Sequence, residues 1–525
     1  MSSFQLFNNV PFPSPIQVEN KDDGNLYVIS RKNTVVNTVN PYATSAFGET
    51  TVAQLSPIIQ LQFPYLINSN NTIQFKNNSG DINNNNSQAN LVSGTTQFSD
   101  AALASNKFVT YQPGQGVLSR FTAGFTTGNS SIGTFQQIGL GNQEDGFFFS
   151  YTDNDMNILI RRGGLRTQYS LKITTGATSG GNITLTLNGS SQTIPVTDSD
   201  INTNAKEIGN FDFPSYNNSS NGDTVNIIAE RTGPQNGVFS FSAGTTGMVV
   251  DTNNPILQVA GVTETTTTIN RANWSEDKCD GTGTLPLIDW SKGNVFQIKY
   301  QWLGYGFVSF YLEDPDTSNL TLVNQYNYPN TNIIPSIANP SLQFLANVAN
   351  ASTTNNISMF VASVGCFIEG AYPNLGSIFG SNVARFYSQS VPNTGFRNIV
   401  SLRSPPHFKG ISNRAVCLIT KITVTASTEA NLEILRNATL SGDTSWTSEG
   451  TDVLLESSQS VSVVTGGDLV YADRAEKQDR FIIEPTKIEN YIIEIFPGNV
   501  ITIAGKSTAG GNSSISLAVN WIEPV

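Results

Sequence analysis

The period of its apolar residues constrains this chain most: they recur at every second position in short runs and almost nowhere at helical spacing. Ile183-Thr184-Leu185-Thr186-Leu187 alternates, as do Ile422-Thr423-Val424-Thr425 and Ile515-Ser516-Leu517-Ala518-Val519-Asn520-Trp521. Period 2 sends successive side chains to opposite faces of a strand, so one face packs while the other meets water. The i, i+3, i+4, i+7 stripe that a helix needs is rare. Gly, Asn, Pro and Asp bound the runs, which predicts many short strands joined by turns, the pattern of sandwiches and barrels. At 525 residues the chain exceeds one ordinary domain, and it lacks the short repeat of a solenoid or propeller. The expected class is all-β: multi-domain jelly-roll or lectin-like β-sandwiches, an inserted small β-rich domain and a C-terminal β-sandwich.

Shifts in composition divide the chain further. Residues 1–95 read as an extended arm, with Pro11, Pro13 and Pro15, followed by an Asn-rich loop too poor in apolar side chains to repay its ordering entropy alone. Aromatic residues are dense in 96–165 and again in 266–370, so these two stretches read as one discontinuous sandwich. Between them, 166–265 is rich in Thr, Ser, Gly and Asn and reads as an inserted small domain, with Asp200–Gly209 its expected helix. Arg162-Gly163-Gly164 is the kind of loop tip that tolerates insertion. Residues 371–410 read as a linker and 411–525 as the C-terminal sandwich.

Charge narrows the partners. Charged residues are 13% of the chain, about half the usual share, and the net charge is −12. Displacing counterions from nucleic acid needs clustered Lys and Arg, and the longest basic run is Arg161-Arg162. Neither nucleic-acid binding nor docking on anionic membrane is expected. No apolar stretch reaches the length of a membrane span, and Met1–Gln17 lacks the regions of a signal peptide.

Catalytic residue types are scarce. His407 is the single histidine, and Cys279, Cys366 and Cys417 are far apart, which leaves no triad and no transition-metal ligand set. The cysteines read as buried free thiols. Asp153, Asp155 and Asn157 resemble the start of a calcium loop but lack its Gly and distal Glu, so a hairpin turn is the better reading. Glu144-Asp145 and Glu313-Asp314 fall where turns are expected; on a strand, neighbours would point to opposite faces and could not form a dyad. The expectation is no enzyme, no cofactor, no metal and no catalytic residue. Trp302 and Tyr305 are the candidates for stacking on a glycan or partner, set against the alternative that they fill the core. In "DGFFFSY", Phe147 and Phe149 would share one face and Phe148 and Ser150 the other, a strand buried on both sides, between the sandwich and a neighbouring domain or subunit.

Several stretches, in order, resemble a family of virion structural proteins of tailed phages and large double-stranded DNA viruses. They are "FGETTVAQLSPIIQLQFPY" (47–65), "YQPGQGVLSRFTAGF" (111–125), "DGFFFSY" (145–151), "RRGG" (161–164), "KGNVFQIKYQWLGYGFVSFYLEDPDT" (292–317) and "PGNVITIAGKSTAGGNSSISLAVNWIEP" (497–524). The resemblance implies a component of the virion exterior, a spike, fibre or minor capsid protein made in the host cytoplasm and assembled with other capsid proteins. Self-association is the default for such parts, a trimer included. A carbohydrate-binding attachment protein that recognises a host surface glycan is the alternative.

Overall fold

The computed structural model describes residues 54–523, apart from 128–132, 214, 222, 253–254, 351–353, 371–380, 409–410, 442–445, 451–452, 460–462, 478–479 and 486–492, together with four short strands before residue 54. Residues Met1–Ser56 with Glu369–Ala371 form one compact unit, and Pro57–Ile368 with Tyr372–Val525 the other. In the first, Phe4–Gln5, Gln17–Asn20, Leu26–Ile29 and Val35–Asn37 pair antiparallel in sequence order, so strands occur where an arm was expected.

The second unit carries the all-β, multi-sheet sandwich architecture expected of the chain. Its main sandwich packs two antiparallel sheets. One is seven-stranded, in the order Thr265–Asn270, Asp155–Arg162, Gly146–Thr152, Thr134–Gly141, Leu342–Asn350, Ser99–Val109, Thr72–Asn77. The other is nine-stranded and centred on Val117–Phe125, which pairs with Asn294–Tyr300 on one side and with Ser358–Val361 and Ser363–Glu369 on the other. The core between them is aromatic: the Phe149 ring centroid lies 4.8 Å from Phe296 and 5.4 Å from Phe310.

The Asn-rich stretch is strand rather than loop. Thr72–Asn77, Asp81–Asn85 and Gln88–Val92 all pair in these sheets. Neighbouring strands supply the apolar cover that the segment lacks, and its Asn residues make the turns. Asn85 pairs with Gln88 across Asn86 and Ser87, with φ of 53° and 59°. Positive φ at both central positions is what a two-residue type I′ hairpin needs, and Asn tolerates it. Asp153-Asn154 closes the next such hairpin, at φ 52° and 61° between Thr152 and Asp155. The calcium-like motif is therefore a turn.

Phe148 is fully buried, as expected of a strand covered on both faces. The cover comes from its own sheet, not from a second domain: Ala104 and Leu345 pack on it, and the Arg161 guanidinium lies 5.2 Å above the ring. Paired Gly141 and Gly146 make the room, since a Cβ at either would come within 2.6 Å of the ring.

The insertion has its own core of Leu171, Ile183, Leu185, Ile208, Val225 and Ile227, between a five-stranded and a three-stranded sheet. Its ends clasp each other through Leu165 N to Val262 O (2.9 Å) and Val262 N to Leu165 O (3.0 Å). The helix runs Ile201–Gly209; the Asp200 carboxylate caps it by accepting from Asn202 N and Thr203 N. The C-terminal sandwich begins before 411. Ser381–Val391 pairs along its whole length with Ser513–Glu523, and Arg397–Arg403 joins the facing sheet. Of the expected linker, 371–380 and 409–410 lie outside the described residues.

Candidate functional site

Trp302 and Tyr305 share the connection between Asn294–Tyr300 and Val308–Glu313, yet the structure uses them differently. Gly306 pinches this loop. Its N–H donates to Trp302 O at 2.6 Å, and a Cβ there would sit 1.7 Å from Gln301 O. Leu303 adopts φ 40°, with its N–H held by the Tyr111 hydroxyl at 3.0 Å. Trp302 thereby turns inward, half-buried against the main core and edge-on to Tyr111 at 5.7 Å. Tyr305 stays 39% exposed. Its hydroxyl donates to Ile333 O (2.9 Å), and its ring stacks on Tyr328 at 6.2 Å, which in turn meets Tyr326 at 5.6 Å. One face of Tyr305 is therefore occupied. Around it, Leu303, Phe307, Ile333 and Ile334 are exposed, beside exposed Asn330, Thr331 and Asn332.

A buried charge cluster lies elsewhere, and single-sequence reasoning missed it. The turn Asn142–Asp145 links Thr134–Gly141 to Gly146–Thr152, and Asn142 Oδ1 shapes it by accepting from Glu144 N (2.8 Å) and Asp145 N (3.0 Å). Because these residues sit in a turn and not on a strand, the alternation rule does not separate their side chains. Both carboxylates reach the Arg414 guanidinium, Glu144 at 3.2 Å and Asp145 at 3.1 Å. Arg414 is 5% exposed and Asp145 2%. Asp145 also accepts from Gly163 N, Ala338 N and Asn339 N. Glu144 accepts from the Ser412 hydroxyl and pairs with Arg166 at 3.5 Å. Arg414 donates further to Asn339 O (2.8 Å) and Ser341 O (3.1 Å).

Every carboxylate oxygen of the pair thus has a donor, which satisfies the charges that burial would otherwise penalise. What the cluster does is join the main sandwich, the stem of the insertion and the start of the C-terminal sandwich. Arg414 lies some 270 positions along the chain from its partners, so nothing local could have signalled it. His407 sits in the neighbouring two-stranded piece His407–Phe408/Ile411–Ser412, and neither of its ring nitrogens has a hydrogen-bond partner. Burial first, and the Arg166 charge second, bring its pKa down to about 4, so the ring is neutral at pH 7.

The other candidates resolve as structure. Asp155 pairs with Arg271 at 2.6 Å, and Asn157 bonds Thr152. Asp314 accepts from Asp316 N and the Thr317 hydroxyl within its turn. Cys279, Cys366 and Cys417 are buried and unpaired, and burial pushes the first two thiols up to about 12. Among the described residues there is no group of three or more His, Cys, Asp or Glu side chains able to hold a metal, and no helix long and apolar enough to cross a membrane.

One further surface is concave. A cleft of about 320 Å³ runs along the segment Gln60–Thr72, and a second of about 240 Å³ continues it, sharing Gln60, Leu61 and Asn71.

No family model matches this chain, and no curated protein does. Among solved structures it is similar to lectin I-B4 from Griffonia simplicifolia in its metal-free form, at 13% identity and a TM-score of 0.25 over 59% of this chain and 99% of that one. It is also similar to the lectin from Bauhinia forficata in complex with GalNAc (7%, TM-score 0.25, 60% and 99%) and to the botulinum neurotoxin serotype G binding domain (10%, TM-score 0.26, 66% and 57%). Likeness at this level carries no argument about what is bound.

Proposed function

We propose that this chain is a non-enzymatic structural protein on the exterior of a virus particle. The observation that carries the reading is the Glu144–Asp145–Arg414 junction. Its carboxylates are paired and used in joining three parts of the chain, which suits a structural part better than an open catalytic cleft. Cores whose three cysteines are buried free thiols, and a weakly charged amide-rich surface, support the same role. So does the ordered resemblance of stretches such as "DGFFFSY" and "YQPGQGVLSRFTAGF" to virion structural proteins. Exposed Phe307, Ile333 and Ile334 offer apolar area for contacts with capsid proteins or with further copies of the chain. Mass spectrometry of gradient-purified particles tests the reading: the chain is expected in stoichiometric amount, and its absence would overturn the proposal.

A second reading, compatible with the first, is attachment to a host surface glycan. It is favoured by exposed aromatic rings on the sandwich, Tyr65 and Tyr305. A hydrolytic role would need two free acids facing each other across a cleft, and release of reducing ends from host polysaccharide by the purified chain would overturn the non-enzymatic part of the proposal.

A further inference from the structure

The geometry points to the groove along Gln60–Thr72 as a binding site for a neutral oligosaccharide, an inference that rests on the glycan-attachment reading and locates its site. Tyr65 is 90% exposed, more than any other aromatic residue described as exposed. A large apolar ring held in water forgoes burial worth on the order of 2 kcal/mol, so an aromatic so placed invites a ligand. The backbone that carries the ring is held at both ends. Two residues before it, Phe63 is buried in the main core, its carbonyl accepts from Asn84 Nδ2 (2.8 Å), and Pro64 stiffens the step between. The far end of the loop is pinned by Asn106, which donates from Nδ2 to Asn70 O (2.9 Å) and from its backbone to Asn71 O (2.9 Å). Such a loop loses little freedom on binding.

The lining defines the ligand. Gln60, Gln62 and Asn71 are exposed, and among the described residues their side-chain amides make no hydrogen bond within the chain. Each amide offers both a donor and an acceptor, the combination that matches hydroxyl groups, which also do both. Charge is absent from the larger cleft, and in the adjoining one Lys107 and Glu494 neutralise each other at 2.6 Å. A sugar with an apolar ring face for Tyr65 and uncharged hydroxyls for the amides fits. A sulfated or sialylated one would find no unpaired cation. Two clefts sharing one wall suit more than a single saccharide unit.

The test is binding of the full chain, wild type and variants, to an array of immobilised neutral and acidic oligosaccharides. Expected is binding to neutral glycans that Tyr65→Ala weakens by about tenfold or more and Tyr305→Ala leaves unchanged. Tyr65→Ala touches no core residue, so an unchanged melting temperature will verify its folding. Binding that survives Tyr65→Ala but is lost in Tyr305→Ala overturns the groove and leaves the attachment reading standing. Binding confined to acidic glycans overturns the ligand class. No binding by the wild type overturns both the site and the reading on which it rests.

Discussion

The two sandwiches of the second unit reach the same architecture with opposite cores. In the main sandwich, Phe121, Phe125, Phe149, Phe296 and Phe310 meet ring to ring, with Trp274 6.2 Å from Phe149. In the C-terminal sandwich, Ile399, Ile422, Leu432, Ile434, Ile503 and Val519 fill the space, and Trp521 is the one tryptophan in the buried core described. There the indole N–H donates to Glu523 at 2.7 Å, while the same carboxylate accepts from Leu454 N and Leu455 N. A core of rings concentrates its packing in a few large side chains whose mutual angles matter. A core of β-branched residues spreads it over many small ones and depends on register, because each inward residue must fall on the right face.

The largest effect should come where the two sandwiches meet. Arg414→Ala leaves Asp145 buried without a cation and Glu144 with Arg166 alone, at a cost of about 3–5 kcal/mol. Calorimetry should then resolve separate melting of the main and C-terminal sandwiches at temperatures below the wild-type transition. A variant that melts like the wild type would remove the junction from the account. Next, Phe149→Ala in the main sandwich should destabilise the chain by about 3–5 kcal/mol, read as a lower melting temperature. On the aliphatic side, deletion of a single methylene by Ile503→Val should cost only about 0.5–1.5 kcal/mol. Equal losses would erase the contrast between the cores.

Acid sharpens the junction further. His407 is held neutral, with its folded pKa near 4, below the ordinary histidine value of about 6.5. The unfolded chain therefore binds the extra proton first. The contribution is fully present above pH 6.5, falls as pH drops toward 4, and amounts to no more than about 3 kcal/mol. Comparing melting temperatures between pH 7 and pH 4.5 should show a smaller drop for His407→Gln than for the wild type.

What was legible in the sequence followed from local physics. The alternation of Ile515–Trp521, the turn at Asp153-Asn154 and the helix capped by Asp200 each depend on residues within a few positions of one another. The insertion was legible because composition changes at a Gly-Gly loop. The strands of Thr72–Val92 were not, since their burial is supplied by sheets built from residues up to 361. Ser381–Arg403 resembled a connector because its partners, Ser513–Glu523 and Val500–Ser507, lie about a hundred residues away or more. Trp302 and Tyr305 looked equivalent in sequence, and only the Gly306 pinch tells them apart. The convergence of Glu144 and Asp145 on Arg414 could not be read for the same reason of distance.

Immunogold labelling of intact and disrupted particles with antibody to the purified chain tests the central claim most directly. The account predicts dense labelling of intact particles over their outer surface. Labelling that appears only after disruption would place the chain inside and contradict it.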